Sequence, residues 1–142
     1  MLQVNLIRQH AEMVKERLSV RNFAQIDLVD SLLEIDEELR KVKSASENLQ
    51  ASVNSASKEI GQLMAKGEKD AAEKKKQEVA SWKTELAEKT TVLNELEEKF
   101  HKQILMLPNL PHSSVPKGKS AEDNEVVREG GLKPTLIADA KP

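Results

Sequence analysis

The 142-residue chain is about one domain long, and with 32% charged and 38% hydrophobic residues, two Phe, one Trp and no Tyr, it is too lean for a thick globular core. A formal charge of −2 excludes a global attraction to nucleic acid, so any such attraction must come from where the charges sit. The lack of cysteine excludes a disulfide framework and thiolate metal sites, and it suits a reducing cytoplasm.

The first stretch, MLQVNLIRQHAEMVKERL, carries a charge every few residues and so lacks the apolar centre of a signal peptide. Nowhere does the chain approach the roughly 20 consecutive apolar residues of a membrane span. Residues 1–26 therefore read as a short helical segment of a soluble, cytoplasmic protein, with no membrane as partner.

From Leu28 onward, Leu28, Leu32, Ile35, Leu39, Val42, Ser46, Leu49, Val53, Ala56, Ile60 and Leu63 alternate steps of four and three, and only Ser46 is not apolar. This predicts a heptad seam along one helix, with Ser31 and Glu34 as a capping box at its start. A second series with the same stepping runs Ala72, Lys75, Val79, Trp82, Leu86, Lys89, Leu93, Leu96, Phe100, Gln103 and Leu107. Between them, Gly67 is placed to close the first helix in a left-handed conformation and Asp70 to cap the second.

So short a link makes the helices antiparallel neighbours. Folding about it pairs residues whose numbers total 135, from Leu63 with Ala72, through Val53 with Trp82, to Leu28 with Leu107. Ser46 then meets Lys89, so the weak position of one seam faces a polar position of the other. The expected fold is all-α: a long antiparallel two-helix coiled coil over 27–107, with a short N-terminal helical segment. At about 1.5 Å per residue the hairpin is a rod on the order of 55 Å long.

Charge is unevenly spread along that rod. Residues 27–57 hold seven acids against three bases, whereas residues 58–83, around the turn, hold seven lysines against five acids. The tip is thus the basic end, able to approach phosphates while the base avoids them. The tip lysines Lys58, Lys66, Lys69, Lys74, Lys75, Lys76 and Lys83 are the candidate phosphate contacts.

Catalytic chemistry finds little support. His10, His101 and His112 are far apart and show no metal-binding spacing. His112 beside Ser113 and Ser114 has no carboxylate partner placed by the sequence. Lys117-Gly118-Lys119-Ser120 imitates the end of a phosphate loop, but that motif requires Gly at 113, which is Ser here, and no strand precedes it.

After the second helix comes Leu107-Pro108-Asn109-Leu110-Pro111-His112, then Ser114-Val115-Pro116, Gly118-Lys119 and Glu122-Asp123-Asn124. This strip resembles the linker that follows the helical arm of bacterial-type seryl-tRNA synthetases. Met1-Leu2 with Leu6-Ile7-Arg8 and Val14-Lys15 resembles that family's opening. Leu33, Asp36, Glu37 and Arg40 resemble the start of its first arm helix, and Asn54, Ser57, Lys58, Glu59, Ile60 and Gly61 the stretch before its tip. Ala11, where the family often has Pro, Ser52 near its usual Arg, and Gly130 through Pro134 depart from the pattern and weaken individual contacts more than the assignment.

The resemblance implies a function. Residues 27–107 would be a tRNA-binding arm, with Asn54 joining the tip lysines, and 108–142 a linker toward a class II catalytic domain beyond Pro142. The arm would lie against the long variable arm of serine tRNA, reaching the tRNA on the other subunit of a homodimer. ATP, with Mg, would serve the catalytic domain, leaving this chain without cofactor, metal or catalytic residue of its own, and DNA is not an expected partner. Two readings from other classes stay open on the residues alone: a generic coiled-coil interaction module, and an independent RNA-binding domain.

Overall fold

The computed structural model describes residues 2–131. Its helices are α1 (Val4–Gln9), α2 (Ala11–Val20), α3 (Leu28–Ala65) and α4 (Lys69–Met106), followed by a single 3-10 turn at Ala121–Asp123. There is no strand among the described residues. Met1 and residues 132–142, which include the end of the expected linker, lie outside them.

α3 and α4 form the expected antiparallel hairpin, each 38 residues and so about 57 Å long. Its seam follows the heptads closely: between residues 37 and 103, every side chain that is not fully exposed belongs to one of the two series. Val53, Ala56 and Val79 form a buried cluster with Ile60 and Trp82 against it, which joins the Ala56/Val79 and Val53/Trp82 pairs of the expected register. Helices of this length depend on such lateral burial, because propensity alone leaves them marginal in water.

The turn is a Schellman closure. Gly67 has φ +80°, its N–H donates to the Met64 carbonyl (3.2 Å), and the Glu68 N–H donates to the Leu63 carbonyl (3.0 Å). The predicted caps are corrected by the structure. α3 begins at Leu28, a turn before the position Ser31 was expected to cap, and Ser31 sits inside the helix exchanging hydrogen bonds with Gln103 of α4. A partner across the seam draws the hydroxyl away from its own backbone. Likewise α4 begins at Lys69 after Glu68, with no side-chain cap, and Asp70 lies in the first turn, where its charge favours the positive end of the helix dipole.

The N-terminal segment is two helices, and both fold onto the base of the hairpin. Ile7, Val14 and Leu18 are fully buried with Val29, Leu32, Ile104 and Leu107 in one core. Being only 6 and 10 residues long, α1 and α2 could not stand alone, and this burial holds them. Polar ties secure the joint: Arg8 grips Asp36, and Lys15 pairs with Asp30 at 2.8 Å.

Beyond α4 the chain runs as the expected irregular strip, and side chains of α2 and the turn after it hold it by its backbone carbonyls. Arg21 donates to Asn109 (3.1 Å), Arg17 to Ser113 (3.4 Å) and Asn22 to Gly118 (2.6 Å). Asn22 adopts φ 58°, a left-handed conformation that Asn tolerates and that turns the chain out of α2.

Candidate nucleic-acid interface

An antiparallel pair of helices has two long edges, one on each side of the seam, where side chains of both helices stand close together. In the distal half, one edge presents Gln50, Ser57 and Met64 from α3 and Lys69, Lys76, Lys83 and Thr90 from α4, by heptad phase, with no carboxylate among them. Two open grooves lie along it. The one nearer the tip is lined by Ser57, Ile60, Lys76, Val79, Ala80 and Lys83, and the next includes Gln50, Asn54, Leu86 and Thr90.

The other edge presents Ser52 and Glu59 from α3 and Ala71, Glu78 and Glu85 from α4, with Lys66, at the turn, as its one lysine in the distal half. The two lysines of the α4 seam lean toward it. Lys75 Nζ lies 3.3 Å from both Glu59 and Glu78, and Lys89 Nζ lies 3.2 Å from Glu85. Hydrogen bonds to Glu78 and Glu59 hold the Lys75 pKa above its ordinary value, so that lysine is firmly charged and already neutralised.

The sequence-predicted residues thus separate. Lys69, Lys76 and Lys83 share one edge with Asn54 close by, while Lys75 belongs to the acidic edge. Lys66 caps the end of α3 at the turn, and Lys58 and Lys74 stand exposed on outward surfaces of the two helices. Among the described residues, Lys58, Lys66, Lys69, Lys74 and Lys83 have no ion pair, whereas Lys76 is 3.4 Å from the exposed Glu73. Reading charge alone missed Ser57, Gln50 and Thr90, whose place on the basic edge was available from their heptad positions.

The structure offers the strip little chemistry. His112 Nδ1 lies 2.9 Å from Ser114 Oγ and accepts from the Ser114 N–H (3.3 Å), a local turn contact in exposed chain. In the stretch that imitates a phosphate loop, the Lys119 and Ser120 N–H groups donate to the Asp123 carboxylate at 2.7 and 3.1 Å. Those bonds hold the Asp123 pKa below its ordinary value and occupy donors that a phosphate would need. Among the described residues, no three His, Asp or Glu side chains converge as a metal site, and no helix is long and apolar enough to cross a membrane.

Residues 1–111 match the family described as the seryl-tRNA synthetase N-terminal domain. The chain is 38% identical to a serine-tRNA ligase of Delftia acidovorans over 142 residues, covering 99% of this chain and 32% of that protein. It is 35% identical to one of Elusimicrobium minutum, covering 96% and 32%. Its fold is similar to the crystal structure of seryl-tRNA synthetase from Pyrococcus horikoshii complexed with ATP, with a TM-score of 0.72 and 33% identity over 87% of this chain and 27% of that one. The chain therefore spans between about a quarter and a third of the length of these relatives.

Proposed function

The chain belongs to the seryl-tRNA synthetase N-terminal domain family, and from that premise we propose that it is the tRNA-binding arm of a serine-tRNA ligase. The observation that carries the reading is a hairpin of two 38-residue helices whose distal half sets Lys69, Lys76 and Lys83 in a row on one edge, while its base is closed by α1 and α2. A generic coiled-coil module, open on the heptads alone, does not account for a family match over residues 1–111.

The arm's partner in this proposal is serine tRNA, held along its long variable arm. A-form RNA displays phosphates and 2′-hydroxyls across a shallow minor groove, so a straight rod with lysines and hydroxyls recognises it by shape and backbone charge. Rigidity turns binding into placement: an RNA held at a fixed angle delivers its acceptor end with less orientational freedom left to lose. ATP-dependent serylation, with Mg, belongs to a class II catalytic domain, and in a homodimer the arm serves the tRNA on the other subunit. In the same proposal residues 27–107 are the arm and the strip from 108 is the linker to that domain.

The test is the affinity of the chain for serine tRNA against a tRNA with a short variable arm, measured by filter binding in matched salt. Tighter binding to serine tRNA supports the reading. Equal affinity for both, or none for either, would overturn it.

A further inference from the structure

We propose that RNA docks on one edge of the hairpin only, the edge carrying Lys69, Lys76 and Lys83, and that the opposite edge turns it away. This rests on the reading of the hairpin as an RNA-binding arm and adds a side and an end to it.

The three lysines recur every seven residues, which sets them in a straight row at intervals of about 10.5 Å along α4. Between and opposite them stand small or neutral side chains, Ser57, Ala80, Asn54 and Gln50, so a nucleic-acid backbone can come down close to the seam. Their hydroxyl and amide groups suit 2′-hydroxyls as well as phosphates. Two carboxylates border the grooves: Glu47 lines the second, and Glu73 lies 3.4 Å from Lys76. The Glu73 pair is solvent-exposed and weak, so a phosphate displaces it readily.

Across the hairpin the arrangement reverses. Glu59, Glu78 and Glu85 line the other edge, and both seam lysines are spent on them at 3.2 to 3.3 Å. A phosphate approaching there meets carboxylates with their cations already engaged, and like charge costs it affinity.

The basic edge also has an end. Continued toward the base in steps of seven it passes Lys43 and Glu97 and reaches Asp36, Val29 and Ile104, all buried beneath α1 and α2. An RNA helix lying along this edge therefore runs into the N-terminal helices, which act as a stop and set how far down the rod it sits.

The experiment compares two charge reversals of equal size in the distal part of the rod, in the complete chain, with serine tRNA as probe. Lys76→Glu with Lys83→Glu alters the basic edge, and Lys58→Glu with Lys74→Glu alters the outward surfaces. The edge pair should weaken binding by about tenfold or more and lower the magnitude of the log-log salt slope by roughly 1.4 to 1.8, two phosphates' worth. The outward pair should cost less than about threefold and leave the slope unchanged. Circular dichroism confirms folding, and Lys76→Gln with Lys83→Gln supplies a milder form whose loss should run in the same direction. Equal losses from both pairs, or a larger loss from the outward pair, would overturn the one-sided docking while leaving the functional reading intact. Failure of the unaltered chain to bind serine tRNA would overturn the functional reading and this inference with it.

Discussion

Arg8 grips both oxygens of Asp36 across 28 residues of sequence, Nε to Oδ2 at 2.7 Å and Nη2 to Oδ1 at 2.6 Å, and Arg40 reaches the same carboxylate at 3.2 Å. Asp36 is the one buried charged residue among those described, and its fork with Arg8 bolts α1 to α3.

Asp36→Asn is expected to cost about 2 kcal/mol, since it breaks a bidentate charged pair but leaves Arg8 partly open to water. The pH dependence follows from the pair. The Arg8 hydrogen bonds hold the Asp36 pKa below its ordinary value, so this stabilisation is full above the unfolded carboxylate value of about 3.9 and is lost as pH falls through the lower folded value. Melting of both chains at neutral and at strongly acid pH checks it: the gap between them should close in acid. A gap of the same size at both pH values would assign the effect to packing instead.

Gly67→Ala should destabilise the hairpin by about 1 to 2 kcal/mol, the cost of holding a Cβ in a left-handed conformation. Nothing lies within 4 Å of where that Cβ would be, so the loss is conformational and not steric. Gly67→Asn should therefore recover part of it. Urea unfolding of the three chains decides the matter, and an Asn variant no better than Ala would argue against backbone strain as the cause.

Trp82 sits half-buried against the cluster that contains Val53, Ala56 and Val79. A fully buried Trp costs roughly 3 to 5 kcal/mol when cut to Ala, and the open side of this one lowers the expected loss to about 2 to 3 kcal/mol. Thermal melting gives the number. No change in Tm would mean that the distal seam is not packed as described.

Arg17→Ala with Arg21→Ala should free the strip without weakening the rod, because these side chains donate to the Ser113 and Asn109 carbonyls and are not part of the buried core. Cleavage by a lysine-specific protease at Lys117 and Lys119 should quicken several-fold while Tm stays within experimental scatter. Unchanged cleavage would show that Asn22 and the apolar contacts of the strip hold it without the arginines.

What could be read directly was whatever repeats. The seam recurs every three or four residues over two helices, so the loss of one position, such as Ser46 or Lys89, leaves the period intact, and the facing pairs follow from the place of Gly67. The resemblance of residues 107–124 to the synthetase family was legible for a different reason, since the prolines and glycines of that strip carry fixed backbone demands that few sequences share.

The caps and contacts behaved otherwise. Ser31 has the sequence of a cap, yet α3 already begins at Leu28, and the Ser31 hydroxyl lies inside the helix beside Gln103, 72 residues away, at 3.2 to 3.4 Å. The charge count put Lys75 beside Lys76 as equals, while packing turned Lys75 toward Glu59 on the far helix and left Lys76 on the opposite edge. The Arg8 grip on Asp36 and the arginine hold on the strip join positions 28 to 96 residues apart with no local pattern. Periodicity sets which face of a helix is buried; the direction of a long charged side chain depends on which partner the fold brings within 3 or 4 Å. The sequence by itself therefore determined the rod, its register and, by heptad phase, the edge that carries Lys69, Lys76 and Lys83, and only the tertiary structure decided which long charged side chains pair across the fold, as Lys75 does with Glu59 and Arg8 with Asp36.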